Sequence, residues 1–383
     1  MKNIVSVFLC VILWNMQLFC VYADELKLNA KAAVVMDAES GEIFYGKQEN
    51  QKMPNASTTK ILTCLYVLEH CDINETAMVS QNAATQPKVR LGVCPGEKYK
   101  IRDLLYGLML ESYNDCAVVL AEHVAGSVEK FEKQVNKMAR QIGAKHTHFV
   151  TPNGLDGTDK EGRHETTAYD LAKIMARCVK NKQFLEITRT KQHSFTDVDK
   201  KRTFTCNNHN ALLSLMQGAI SGKTGFTSKA GYCYVGAVKK NNIIMTFSVL
   251  ASGWPPHKSY KWNDVKKLVQ YTTDHYEKRE LTADTSKIKN IKVNQGLKDK
   301  VLLKTGNPKV SLLVKKSDNI KIESSLPLSV DAPLKKGQRI GEIRYLVNNT
   351  CKRKIPIYTQ NEIKQKDYWY YFEKIIQRFT LTR

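Results

Sequence analysis

Ser57 and Lys60 stand three residues apart in Pro54-Asn55-Ala56-Ser57-Thr58-Thr59-Lys60, just ahead of a strongly apolar run that continues to about His70. On a helix that spacing puts the amine one turn from the hydroxyl and on the same face. A serine at a helix start also meets free backbone N–H groups and the positive end of the helix dipole, which stabilise developing negative charge. The pair can therefore supply a nucleophile and its base. A lysine acts as base only when neutral, so burial and a neighbouring cation must lower its pKa. Lys223, in Ser221-Gly222-Lys223-Thr224-Gly225, is the candidate cation, and Ser112-Tyr113-Asn114 offers a hydroxyl and an amide from a third segment.

Short motifs recur by chance, and they do so here. Ser127-Val128-Glu129-Lys130 repeats the Ser-x-x-Lys spacing, Lys304-Thr305-Gly306 repeats Lys-Thr-Gly, and Ser317-Asp318-Asn319 repeats Ser-x-Asn. Order along the chain separates the sets: Ser57, Ser112 and Lys223 run Ser-x-x-Lys, Ser-x-Asn, Lys-Thr-Gly, whereas the other three do not. Metal-dependent peptide hydrolysis is disfavoured, because His164-Glu165-Thr166-Thr167-Ala168 lacks the second histidine of His-Glu-x-x-His. No metal and no cofactor is expected at the site.

The elements that must hold these residues mix helices and strands. Ala32 to Asp37 and Glu42 to Tyr45 read as strands across a turn, as do Tyr232 to Ala237 and Ile243 to Leu250. Helical patterns follow Ser57 and recur near 101–110, 115–126, 129–142, 167–180 and 262–278. Without regular βαβ alternation, this predicts an α/β domain with an antiparallel sheet over residues 24–280, the Lys223 motif lying just before a strand. From 285 to 360 the texture changes to short alternating strands, a small all-β domain. Residues 361–383 form an amphipathic helix, with Tyr368, Trp369, Phe372, Ile375, Ile376 and Phe379 on one face and Lys366, Lys374 and Arg378 on the other.

A net charge of +22 could suggest nucleic acid, but residues 1–23 argue for export. Lys2 is followed by an apolar run from Ile4 and by Val21-Tyr22-Ala23, the pattern of a cleaved signal peptide. Residues 285–383 hold 22 Lys and Arg against 8 Asp and Glu. For an exported chain that charge points to a membrane surface and wall polymer, and no nucleic acid partner is expected. The eight cysteines beyond residue 23 show no Cys-x-x-Cys spacing, and their pairing is open. Cys64 and Cys71, two turns apart on one expected helix, read as core.

In these motifs the chain resembles the serine D-alanyl-D-alanine carboxypeptidases, the low-molecular-mass penicillin-binding proteins. The likeness extends to Thr147-His148-Phe149-Val150-Thr151-Pro152-Asn153-Gly154-Leu155-Asp156, Gly222-Lys223-Thr224-Gly225-Phe226-Thr227, Ala230-Gly231-Tyr232-Cys233 and Ala332-Pro333-Leu334-Lys335-Lys336-Gly337, nearly the whole chain beyond residue 23. It implies a penicillin-binding, β-lactamase-like transpeptidase domain, a β-rich second domain and a C-terminal membrane anchor. The substrate implied is the peptidoglycan stem peptide, with β-lactams as covalent ligands, at the outer face of the cytoplasmic membrane. Ser57 would be the nucleophile, Lys60 its base, Ser112 a proton relay and Asn114 a holder of substrate and Lys60, with Lys223 setting the field. Thr224 and Thr227 would bind the terminal carboxylate, and the N–H groups of Ser57 and Phe226, beside Gly225, would form the oxyanion hole. Lys261 stands where the family carries an arginine for that carboxylate, a point charge in place of a fork. Tyr113 replaces a residue that is often small, which reads as a reshaped cleft. A serine β-lactamase is the nearest rival, but Tyr169 occupies the place of the asparagine that would accompany Glu165. A catalytically silent wall-binding protein is the other, although nothing essential to the site is missing.

Overall fold

The computed structural model describes residues 26–380; the signal peptide expected over residues 1–23 lies outside them. Two adjoining strands open the fold, β1 (Ala32–Asp37) and β2 (Ile43–Lys47). A single 3₁₀ turn over Ala56–Thr59 leads into α1 (Lys60–His70). Three further helices, α2 (Asn114–Ala125), α3 (Val128–Ile142) and α4 (Ala168–Cys178), complete the main helical layer. The sheet is closed by β3 (Ala219–Thr227), β4 (Gly231–Lys240) and β5 (Ile243–Leu250) in the order β2-β1-β5-β4-β3, every neighbour antiparallel.

Alternation decides which layer each strand side chain joins. Ala32, Val34 and Met36 of β1 enter the core shared with α1, α2 and α4, whereas Ala33 and Val35 face the other way. That second face is covered by α5 (Tyr260–His275), through Val265, Leu268 and Val269 against Tyr234, Val238 and Phe247. The helices expected near 129–142, 167–180 and 262–278 are thus present within a few residues. The helix near 101–110 is divided, an α segment over Ile101–Tyr106 running into a π turn over Gly107–Glu111. A helix at Lys182–Arg189 and a hairpin of Gln192–Thr196 with Thr203–Asn207 were not anticipated. The Lys223 motif lies inside strand β3 at the sheet edge, not before it.

Beyond α5, β6 (Tyr276–Thr282) pairs with β7 (Lys309–Lys315), and a six-stranded sheet encloses a separate core that includes Val301, Ile343, Tyr345 and Ile357. Ile363 belongs to this core and bridges Leu334, while Gln365 bridges Gly296, so the segment up to Lys366 is held on the β layers. The chain then enters α6 (Tyr368–Thr380), none of whose residues is buried. Its apolar face is open to solvent, from 43% at Phe372 to 76% at Phe379. Among the described residues no helix is long and apolar enough to cross a membrane. Cys64 is fully buried in α1, and Cys71 sits half-buried just past its end; the eight described cysteines are free thiols.

Candidate active site

The first residue of α1 is a lysine with no exposed surface. Lys60 Nζ donates to Ser57 Oγ at 2.9 Å, to Asn114 Oδ1 at 2.9 Å and to the carbonyl oxygen of Asn153 at 2.6 Å. All three partners are neutral. Burial, with the charge of Lys223 added to it, holds the Lys60 pKa well below the usual lysine range. As an ammonium Lys60 fills its three donor positions with these contacts. As an amine it donates to the two carbonyl-type oxygens and turns its lone pair to the serine hydroxyl. The same geometry serves both states.

Ser57 is fixed by the turn before it. Asn55, fully buried, donates to Thr58 Oγ1 at 3.0 Å and Thr59 Oγ1 at 2.8 Å, and its carbonyl accepts from Thr58 Oγ1 at 2.7 Å. Ala56 takes a left-handed φ of 50°, uncommon for a residue with a Cβ. Gly154 (φ 86°) presses on this turn: a Cβ there would lie 2.0 Å from the Ala56 carbonyl oxygen. On the other side a Cβ on Gly225 would stand 3.0 Å from the Ser57 backbone nitrogen, so strand β3 runs beside that N–H.

Ser112 is delivered by the π turn and adopts a left-handed φ of 69°. Its Oγ accepts from Lys223 Nζ at 2.9 Å, and Lys223 also donates to the Thr224 carbonyl at 2.9 Å. Lys223 is nearly fully buried, and burial lowers its pKa to about 7. Asn114 opens α2, and its Nδ2 donates to the Pro87 carbonyl at 3.1 Å. Ser57, Ser112, Lys223, Thr224, Gly225, Phe226 and Lys261 all line one cleft of about 500 Å³. Lys60 and Asn114 lie behind it. Thr227 ends β3 outside this lining, and its Oγ1 accepts from the Ala230 N–H at 3.1 Å in the β3–β4 turn.

Lys261 reaches the cleft from α5. Its Nζ donates to the Lys258 carbonyl at 2.7 Å and sits 4.7 Å and 4.8 Å from the ring centres of Tyr232 and Trp262. Burial and the neighbouring Lys258 bring its pKa down to about 8. Tyr113 does not reshape the cleft as expected. Its ring turns inward against Gly107, a Cβ on which would stand 3.1 Å away, and it packs on the main core.

This is a constellation of serine acyl chemistry, and comparison with known proteins identifies it. The family model for D-alanyl-D-alanine carboxypeptidase matches residues 20–252, and that for the penicillin-binding protein 5 C-terminal domain matches residues 276–365. The chain belongs to the D-alanyl-D-alanine carboxypeptidase family. It is 28% identical over 366 residues to the Bacillus subtilis carboxypeptidase DacF, covering 93% of this chain and 92% of that one. The Mycobacterium tuberculosis carboxypeptidase DacB2 is 36% identical over 233 residues, 60% of this chain and 78% of its own. The crystal structure of penicillin-binding protein 5 from Haemophilus influenzae superposes with a TM-score of 0.68 at 26% identity, covering 89% of this chain and 99% of that one. The protein is accordingly a serine-type D-alanyl-D-alanine carboxypeptidase, built as a penicillin-binding transpeptidase-like α/β domain followed by an all-β domain.

Around the carboxypeptidase site are residues that motif spacing did not single out. The Asn153 carbonyl holds Lys60, as described. His164, nearly fully buried, has Nδ1 accepting from the Val150 and Thr151 N–H groups at 3.0 Å and 3.2 Å, so Nε2 carries the proton toward Thr59 Oγ1 at 2.8 Å. Burial depresses its pKa to about 3, which keeps it neutral beside Lys60. Asp115, fully buried, accepts from the Leu91 and Gly92 N–H groups at 3.0 Å and 2.7 Å and so shapes the loop that meets Asn114. A run of loop residues carries no periodicity that would have revealed these roles. Glu165 reaches Lys52 at 4.0 Å and is absent from the cleft lining, as is Tyr169. Ser127 of the repeated Ser-x-x-Lys caps α3, accepting from the Lys130 N–H at 3.2 Å.

Proposed function

We propose that the protein removes the terminal D-alanine of peptidoglycan stem peptides through an acyl-enzyme on Ser57. The observation that carries this reading is the buried Lys60 amine, 2.9 Å from Ser57 Oγ with only neutral hydrogen-bond partners. Neutral Lys60 takes the Ser57 proton as Oγ bonds to the carbonyl carbon between the two D-alanines. The oxyanion turns to the N–H groups of Ser57 and Phe226. Collapse breaks the C–N bond, and the proton taken by Lys60 goes to the leaving amine by way of Ser112, whose Oγ is held by Lys223, so that Lys60 is neutral again. Water activated by Lys60 then hydrolyses the ester and restores the site. The free carboxylate of the substrate meets Thr224 and Lys261 in the cleft, while Asn114 holds Lys60 from behind it. A β-lactam enters by the same attack but leaves no diffusing amine, so its ester persists. Glu165, paired with Lys52, is absent from the cleft lining, so it does not stand where a β-lactamase would use it to speed deacylation.

The same reading assigns residues 1–23 to export, 24–280 to catalysis, 285–360 to a pedestal and the tail to a membrane anchor at the outer face of the cytoplasmic membrane. The open apolar face of α6 and the basic β layers support it. The test is D-alanine release from a soluble peptide ending in D-Ala-D-Ala. The parent protein is expected to release D-alanine and Ser57→Ala to release none; release by folded Ser57→Ala would sink the assignment.

A further inference from the structure

Helices α1 and α2 pack against each other and start side by side, Lys60 against Asn114. At about 1.5 Å per residue each runs on for roughly 17 Å, and their far ends also meet. Cys71 follows the last turn of α1, Glu75 lies in the turn after it, and His123 is in the last turn of α2. A thiol sulfur, a carboxylate oxygen and an imidazole nitrogen from these residues all lie within 4.8 Å of one another, with Cys71 and His123 half-buried and Glu75 exposed.

We propose that Cys71, Glu75 and His123 form a zinc-type divalent metal site, with water as fourth ligand, that clips together the far ends of α1 and α2. The donor set is sulfur, nitrogen and oxygen, the mixture a borderline-soft ion takes and that magnesium or calcium does not. Zinc bonds of about 2.0–2.3 Å leave tetrahedral ligand atoms about 3.3–3.8 Å apart, so the three atoms need close in by only about an ångström. Two of the three side chains, those of Cys71 and Glu75, sit on a turn.

The surroundings already orient two of the three ligands. The Asp72 N–H donates to Glu75 Oε1 at 3.1 Å, leaving Oε2 toward His123 Nε2 at 3.0 Å. The turn is pinned from Ile101, whose N–H meets the Glu75 carbonyl at 2.9 Å, and from Arg102, whose N–H meets the Ile73 carbonyl at 2.9 Å. Such outer contacts fix ligand direction before an ion arrives. Binding replaces the His123–Glu75 hydrogen bond: the Nε2 proton moves to Nδ1, and the Cys71 thiol gives its proton to solvent.

Because the site sits at the opposite ends of the helices from Lys60 and Asn114, the ion stabilises the domain without entering the chemistry. The experiment is a Co²⁺ titration of the full chain, followed by Zn²⁺ competition and thermal unfolding. One equivalent of Co²⁺ is expected to raise a thiolate-to-cobalt charge-transfer band, Zn²⁺ to abolish it, and Zn²⁺ to raise the unfolding temperature with penicillin acylation unchanged. Cys71→Ser and His123→Ala, each checked as folded by penicillin labelling, are expected to lose the band and weaken Zn²⁺ binding by about 100-fold or more, at the upper end of what outer-shell losses cause. No band from the parent protein overturns the site. So does a band that persists in Cys71→Ser, which would place the ion on Cys94 or Cys351. Should Cys71→Ser fail to fold, an unchanged band in His123→Ala overturns it equally.

Discussion

Lys60 Nζ lies 2.6 Å from the carbonyl oxygen of Asn153, closer than to Ser57 Oγ at 2.9 Å. The base is thus positioned by a loop that must approach the Ser57 turn edge-on, and Gly154 is what permits the approach. Gly154→Ala would place a Cβ 2.0 Å from the Ala56 oxygen at a φ of 86°. We expect it to lower stability by about 2 kcal/mol or more. Penicillin acylation, timed on the fraction that remains folded, is expected to fall about 10²-fold through displacement of Lys60.

The lysines set the pH profile. Below its lowered pKa Lys60 holds a proton and cannot accept one, so acylation rises with pH as it deprotonates. Lys223, which lines the cleft and donates to Ser112 Oγ, loses its charge near pH 7, and with it the attraction for the penicillin carboxylate, so the rate falls again above that. A bell with its descending limb at or above about pH 7 is expected in penicillin acylation rates. Lys60→Arg keeps a charge that does not titrate, and is expected to lose the ascending limb with about 10² in rate.

The same burial governs stability. Lys223 titrates at about 7 when folded and at 10.5 as a free side chain. The unfolded chain therefore binds more protons between those values, and stability rises with pH across that window. Denaturant midpoints are expected to increase from pH 7 to pH 9 in the parent protein and to do so less in Lys223→Met.

Ser127→Ala separates motif from site. Its hydroxyl caps α3 through the Lys130 N–H at 3.2 Å. The change is expected to cost about 1 kcal/mol in unfolding experiments, with penicillin labelling unaltered.

For the tail, the place to cut follows from the fold. Ile363 is buried in the β-domain core, so ending the chain at Gln360 would open that core. A chain ending at Asp367 removes α6 and the three residues after it and leaves the β-domain core intact. It is expected to release D-alanine at the parent rate and to stop sedimenting with anionic vesicles, while added salt weakens binding of the intact chain. Equal vesicle binding by the two chains would show that α6 is not the anchor.

What the sequence made legible was whatever repeats or carries chemistry in a fixed order. The apolar run after Ser57, the continuous apolar runs of β1 and β5 and the stripe on α6 follow from burial, so run length in the first three and period in the last expose them. Ser57, Lys60, Ser112, Asn114 and Lys223 could be gathered because three motifs share an order. Asn153 acts through its carbonyl, which every residue possesses, and His164 through a tautomer fixed by loop N–H groups. Neither leaves a mark in residue type. Tyr113 misled because Ser112, next to it in sequence, lines the cleft, while Gly107 leaves room for its ring against the core. The π turn that carries Ser112 likewise reads as ordinary helix.

The central claim is that Ser57 is acylated with Lys60 as its neutral base. It is tested most directly by treating the protein with penicillin and locating the adduct by peptide mass spectrometry. One penicilloyl group per chain is expected, on the peptide bearing Ser57, absent from Ser57→Ala and strongly slowed in Lys60→Arg. An adduct on another serine, or one formed at the parent rate in Lys60→Arg, would contradict the account.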